Sequence, residues 1–93
     1  MQYVLIVHEV EDYKKWKEAF DNAAVILSEA GELEYKLLKY ENDPNKIVHL
    51  GKWNSLERAR GFFQSPEVEE IRRKAGVKSP EFIYLDFLEV GVR

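Results

Sequence analysis

Two histidines, His8 and His49, are the side chains of this 93-residue sequence whose ordinary protonation equilibrium lies near neutral pH. His8 stands near the end of an apolar, β-branched run, Gln2–Val10 (QYVLIVHEV), just ahead of a helix. A neutral imidazole at such a strand end can accept a proton from an acidic phenol or enol. The electron-rich anion left behind is the species that reacts with molecular oxygen. The other role open to His8 is that of a partly buried imidazole bonded to backbone. His49 falls mid-strand on the face of Ile47 and Trp53, where it lines the same pocket or sits in a subunit contact. Trp16, Phe20, Trp53, Phe62 and Phe63 would suit a flat apolar ligand if they line a cleft, and would otherwise be ordinary core. Two histidines and no cysteine fall short of a zinc site's donors, and no spacing recruits Glu9 or Asp86 to complete one, so no metal is expected. Asp86 interrupts an apolar strand. A buried carboxylate there needs a partner, and Arg58, Arg60 or a cation of a second chain could supply it. Gly51, alone in a strand, marks a bulge or a close backbone approach rather than a phosphate-cradling loop.

The elements that must position these groups can be read from periodicity. Gln2–Val10 is a strand. Asp12 caps a helix whose stripe is Tyr13, Trp16, Phe20, Ala23 and Leu27, and Gly31 ends it. Val25 and Ile26 lie off that stripe, as surface residues or a further oligomer contact. Leu33, Tyr35 and Leu37 alternate with Glu34 and Lys36 in a second strand. Asn42-Asp43-Pro44-Asn45 is a turn into a third strand, Ile47–Trp53. Asn54 or Ser55 caps a helix carrying Leu56, Ala59 and Phe63. Ser65-Pro66 opens a further short helix, acidic at its start and basic at its end, which Gly76 stops. Glu81–Val90 is the last strand. The order β-α-β-β-α-α-β predicts an α+β, ferredoxin-like fold: a four-stranded antiparallel sheet with helices on one face, in one domain over residues 1–93.

The same alternation leaves the sheet without a wettable side. Tyr3, Leu5 and Val7 oppose Val4, Ile6 and Val10. Ile83, Leu85 and Phe87 oppose Phe82, Tyr84 and Leu88, and Val48 and Leu50 oppose Ile47 and Trp53. Helices can cover one face only. A second face with ~10 clustered apolar side chains exceeds what a lone subunit exposes, so a homodimer packed sheet on sheet is expected. The chain carries 17 acidic and 14 basic residues for a net charge of -3, which argues against a nucleic-acid partner. Its longest apolar runs, Tyr3–Val7 and Ala23–Leu27, fall far below the ~20 residues of a membrane span, so a soluble, cytoplasmic protein is expected.

Several of these segments together resemble a known family. They are Val10-Glu11-Asp12-Tyr13, Trp16-Lys17, Phe20-Asp21, Gly31, Asp43-Pro44-Asn45, Trp53-Asn54-Ser55-Leu56-Glu57-Arg58-Ala59, Phe62-Phe63-Gln64-Ser65-Pro66-Glu67 and Ala75-Gly76-Val77. The chain resembles the dimeric α/β-barrel superfamily and, within it, antibiotic-biosynthesis-monooxygenase-like (ABM) domains. The resemblance implies a pocket between sheet and helices in each protomer. Such pockets serve cofactor-free oxygenation of aromatic polyketides or quinols, haem degradation, or isomerisation of small metabolites. The haem-degrading branch carries an Asn, a Trp and a haem-ligating His where His8, Phe62 and Arg72 stand here, so haem degradation is not expected and no cofactor is implied.

The resulting expectation is a cofactor-free, monooxygenase-like homodimer acting on a small aromatic or enolisable molecule. His8 would be the base, and Trp16, Phe20, His49, Trp53, Phe62 and Phe63 would shape the pocket. A non-catalytic ligand-binding or assembly module and a small-metabolite isomerase are the alternatives. Either enzyme reading needs a cavity of ~300 Å³ or more beside His8, and oxygen consumption separates oxygenase from isomerase.

Overall fold

The computed structural model of the chain describes residues 2–93. Its elements are β1 (Gln2–Val10), α1 (Tyr13–Asn22), α2 (Ala24–Ala30), β2 (Glu32–Tyr40), β3 (Asp43–Trp53), α3 (Leu56–Phe63), α4 (Pro66–Lys74) and β4 (Val77–Asp86). The strands form one antiparallel sheet in the order β2-β3-β1-β4, the ferredoxin-like arrangement expected from the sequence. The helices lie on one face of it. Among the described residues no helix is long and apolar enough to cross a membrane.

Caps fix where the helices begin. Asp12 accepts from the Lys14 N–H, Ser55 from Arg58 and Ser65 from Val68, with Pro66 in the first turn of α4 where its missing N–H costs nothing. Three boundaries depart from the sequence reading. The helix expected to run from Asp12 to Gly31 breaks at Ala23, whose N–H is shared among the carbonyls of Ala19, Phe20 and Asp21. Asn22, a weak helix former, precedes the break. The expected Asn42–Asn45 turn shrinks to Glu41-Asn42, because Asp43 already pairs with Tyr40 and β3 begins there. The last strand runs from Val77 to Asp86, not from Glu81 to Val90. It starts opposite Val10 and stops at Asp86 opposite Gln2, where β1 supplies no further described residue to pair with. A register shift between Val7 and Glu9, with Ser79 at φ 43°, absorbs Pro80.

Alternation in β1 falls as the sequence requires. Val4, Ile6, His8 and Val10 are buried under the helices, while Tyr3, Leu5 and Val7 face the other way. Val4, Ile6, Leu27, Trp53, Ala59, Phe63 and Val68 form one apolar cluster, and Val10, Trp16, Ile47 and Ala75 a second. Among the described residues no element covers the opposite face of the sheet. Ile83 and Leu85 are each 38% exposed and Leu38 is 53% exposed, beside Tyr3, Leu5, Val7, Val48 and Leu50. Tyr3 and Phe87 close its edge with ring centroids 5.9 Å apart.

Candidate active site

Between the two apolar clusters the sheet presents its two histidines. Antiparallel pairing sets Ile6 opposite His49 and His8 opposite Ile47, so the imidazoles occupy adjacent rungs of the helix-facing side. Their rings lie 6.4 Å apart and nearly parallel, and both side chains are buried. Trp16 of α1 packs on His8 at 5.3 Å and on Phe20 at 5.1 Å, and the Phe20 edge meets His49 at 5.0 Å.

These residues enclose a cavity of about 60 Å³, walled by His8, Trp16, Phe20, His49, Phe62 and Phe63 with Ile26, Ile71 and Arg72 among the remainder. Six of the seven pocket residues expected from the sequence are thereby brought together. Trp53 is not: its ring lies beneath α3, 5.4 Å from Phe63 and 5.9 Å from Phe62. The enclosed space is well below the expected ~300 Å³, because Trp16, stacked between His8 and Phe20, fills much of the cleft. A groove of about 420 Å³ lies outside it between α1 and α4, lined by Lys15, Glu18, Asn22 and Lys74. Cavity and groove share Ala19, Ala23, Ile26, Ile71 and Ala75 as a common wall, and three of those five side chains are methyl groups. Ile26, read from sequence as an off-stripe surface residue, belongs to this wall.

His8 differs from the expected proton acceptor poised near working pH. Burial, seconded by the nearby His49 and Arg72, pushes its pKa down to about 3. It is uncharged at neutral pH, and its Nδ1 is buried without a hydrogen-bond partner among the described residues. A stability prediction follows. The folded value lies below the unfolded one of ~6.5, so the unfolded chain takes up a proton that the native chain refuses. Stability from this site is full above about pH 6.5 and declines as pH falls towards 3. Between pH 7.5 and 4.5 the loss should be at most roughly 3 kcal/mol. Urea midpoints at the two pH values should converge in His8→Gln. An equal pH loss in that variant would show that His8 titrates normally.

His49 is held differently. Its Nε2 lies 2.7 Å from Oε2 of Glu32, and both side chains are at most 5% exposed. The sequence reading missed this partner because Glu32 looks like a solvated strand residue. Two features bury it. The β2–β3 register shifts between Glu32 and Glu34, which turns Glu32 inward. Gly51 leaves the carboxylate room, since a Cβ there would collide with Glu32 Oε2 and lie 2.9 Å from Trp53 Nε1. Gly51 is thus the close approach that its isolation in a strand suggested. The carboxylate fixes the imidazole's orientation and tautomer, leaving the other ring nitrogen as the acceptor when Nε2 donates.

Asp86 corrects another expectation. Within the single chain it is exposed at the end of β4, where it accepts from Gln2 Nε2 at 3.1 Å, and neither Arg58 nor Arg60 pairs with it. Arg58 donates to the Glu29 carbonyl and Arg60 stacks on Tyr84.

Comparison with known proteins bears on this arrangement. Residues 7–74 match the family model described as antibiotic biosynthesis monooxygenase. Among solved structures, SnoaB, a cofactor-independent oxygenase from Streptomyces nogalater, superposes with a TM-score of 0.76 at 13% identity, over 96% of this chain and 94% of that one. A structure from Bordetella bronchiseptica, provisionally named an antibiotic biosynthesis monooxygenase, gives a TM-score of 0.77 at 14% identity over 95% and 97% of the two chains. At such identities the likeness is one of fold. No curated protein is similar enough in sequence to count as a relative.

Proposed function

We propose that this chain, which belongs to the antibiotic biosynthesis monooxygenase family, acts as a cofactor-independent, monooxygenase-like protein on a small aromatic or enolisable metabolite. The observation that carries the reading is an uncharged, buried imidazole, His8, whose Nδ1 has no hydrogen-bond partner among the described residues, in a cavity whose other walls are almost entirely aromatic and aliphatic. Its similarity in fold to an oxygenase that works without cofactor supports the same reading.

The chemistry needs little more from the protein. His8 accepts a proton from an acidic phenol or enol, leaving an electron-rich anion. Carbon of that anion adds oxygen. The O–O bond then breaks, so that one oxygen stays on carbon and the other leaves as water. The substrate supplies all four electrons, from a CH₂ carbon that becomes the carbonyl in an enolisable ketone or from a quinol that becomes a hydroxyquinone, and no external reductant is required. Burial makes His8 a weak base. An anion formed in contact with it favours the imidazolium, as any opposite charge at close range does. Aromatic walls exclude water from the anion, and His49, oriented by Glu32, stands on the adjacent rung of the sheet.

The inner cavity admits a reacting group rather than a whole ring system, so the body of the substrate lies in the outer groove or displaces Ile26 and Ile71. The small volume also favours the second reading, a ligand-binding module without turnover. An oxygen electrode separates them. With 1,4-naphthohydroquinone the protein should raise oxygen uptake at least tenfold above the spontaneous rate. An unaccelerated rate with this probe and with an enolisable ketone leaves the binding module in possession.

The open sheet face supports a homodimer. Burying each of its apolar side chains against a second copy is worth roughly 1.5–3 kcal/mol relative to leaving it fully wet.

A further inference from the structure

α4 carries three basic residues in its last turn, and two of them are occupied at the surface. Arg73 pairs with Glu70, and Lys74 lies 3.9 Å from the same carboxylate. Arg72 points elsewhere. It lines the His8 cavity, and its guanidinium carbon lies 4.9 Å from the centroid of the Phe82 ring, a contact that fixes a cation by its face and leaves its N–H groups unspent. Nη1 of Arg72 is buried and has no hydrogen-bond partner among the described residues. His8 Nδ1, in the same cavity, is in the same condition. Leaving a buried charged donor unmatched costs more than the ~1–3 kcal/mol of a neutral one. Two such atoms around one small space therefore specify what should fill it.

We propose that Arg72 and His8 form an oxyanion seat, so that the ligand of this cavity carries an ionised oxygen (carboxylate, phenolate or enolate) that accepts from Arg72 Nη1 and His8 Nδ1, while its apolar body lies in the groove between α1 and α4. The dimensions agree. About 60 Å³ takes a carboxylate-sized group and little else, and the thin wall of Ala19, Ala23, Ile26, Ile71 and Ala75 separates it from about 420 Å³ of groove. The charge agrees as well. The other histidine on the cavity wall, His49, is engaged by Glu32, so Arg72 is the cation that the cavity offers to a ligand. His8 donates to the anion from Nδ1 when that nitrogen carries the ring's proton, either in that neutral tautomer or after taking the proton that the ligand gives up. The inference rests on the proposal that the cavity is a ligand site. It does not rest on oxygen chemistry.

Calorimetric titration of the full chain with 1-naphthoate and with its uncharged analogue 1-naphthylmethanol tests it. Naphthoate should bind at least tenfold more tightly. Arg72→Met should abolish that preference and Arg72→Lys should retain part of it, as a point charge without the planar fork. Arg73→Met, which changes net charge equally, should leave it within twofold. Should Arg72→Met fold poorly, the ring ¹⁵N shifts of wild-type His8 provide the second measurement, moving with naphthoate and not with naphthylmethanol. Equal affinity for the two probes, no binding of either at millimolar concentration, or a preference that survives Arg72→Met overturns the proposal. A preference for naphthoate in a protein that never consumes oxygen would uphold the seat and reject the oxygenase.

Discussion

His8→Ala is expected to lower oxygen uptake on a responsive quinol or enol substrate by about 10²–10⁴-fold, the range that a positioned proton acceptor contributes. The chain should remain folded and self-associated, because His8 lies on the helix-facing side of the sheet, away from the open face. His8→Gln, closer in volume, should be nearly as inactive, which separates loss of the acceptor from loss of packing. The small cavity is what makes the effect large. Trp16 and Phe20 pack against the histidines and leave little room beside them for a substitute base. His49 is the one group that could substitute, and residual activity in His8→Ala should disappear in the double variant with His49→Ala. Unchanged turnover in His8→Ala would remove His8 from the mechanism and shift attention to the Glu32–His49 pair.

An equally large effect is expected on the other side of the sheet. Leu5 lies between Leu50 of β3 and Ile83 of β4 on one rung of the open face. Leu50→Glu combined with Ile83→Glu would place two carboxylates in the middle of the proposed subunit contact. Burying unpaired charges there costs several kcal/mol each, so dimer dissociation should strengthen by at least 10³-fold. Sedimentation equilibrium should show single subunits at micromolar concentration, or aggregation if a lone subunit is unstable. Val25→Glu, on a residue 66% exposed among the helices, should change nothing. A wild-type chain that sediments as a stable, well-ordered single subunit at the same concentration would defeat the dimer.

Much of this arrangement is legible in the sequence because it depends on local periodicity. The alternation of Gln2–Val10 already separates His8 from Leu5, and the helical stripe through Trp16 and Phe20 aims both rings at the sheet. Capping residues mark the starts of α1, α3 and α4. The parts that escape are tertiary. Glu32 reads as solvated because strict alternation counts through Leu33, and only the shifted β2–β3 register, with the bare Cα of Gly51 opposite Tyr35, turns its carboxylate inward. Arg72 looks equivalent to Arg73 and Lys74 under a helix-dipole argument. Its inward placement follows from how α4 sits over β4 and Phe82, which no local pattern encodes. The aromatic set is read correctly as a group, but composition cannot say that Trp53 turns beneath α3 while Phe62 and Phe63 reach the cavity. β4 is displaced because strand bounds depend on cross-strand pairing, here Val77 opposite Val10 through to Asp86 opposite Gln2.

The division of β1 into two sides has a genetic consequence. Neighbouring codons from Gln2 to Val10 govern different properties of the molecule. Under the proposed function, lesions at positions 4, 6, 8 and 10 would strike the helix-covered core and, at His8, its cavity, while those at 3, 5 and 7 would strike the proposed contact between copies. Two inactive alleles of the first and second kind, expressed in one cell, would therefore not repair each other by mixing subunits unless the damaged contact can still form with an intact one.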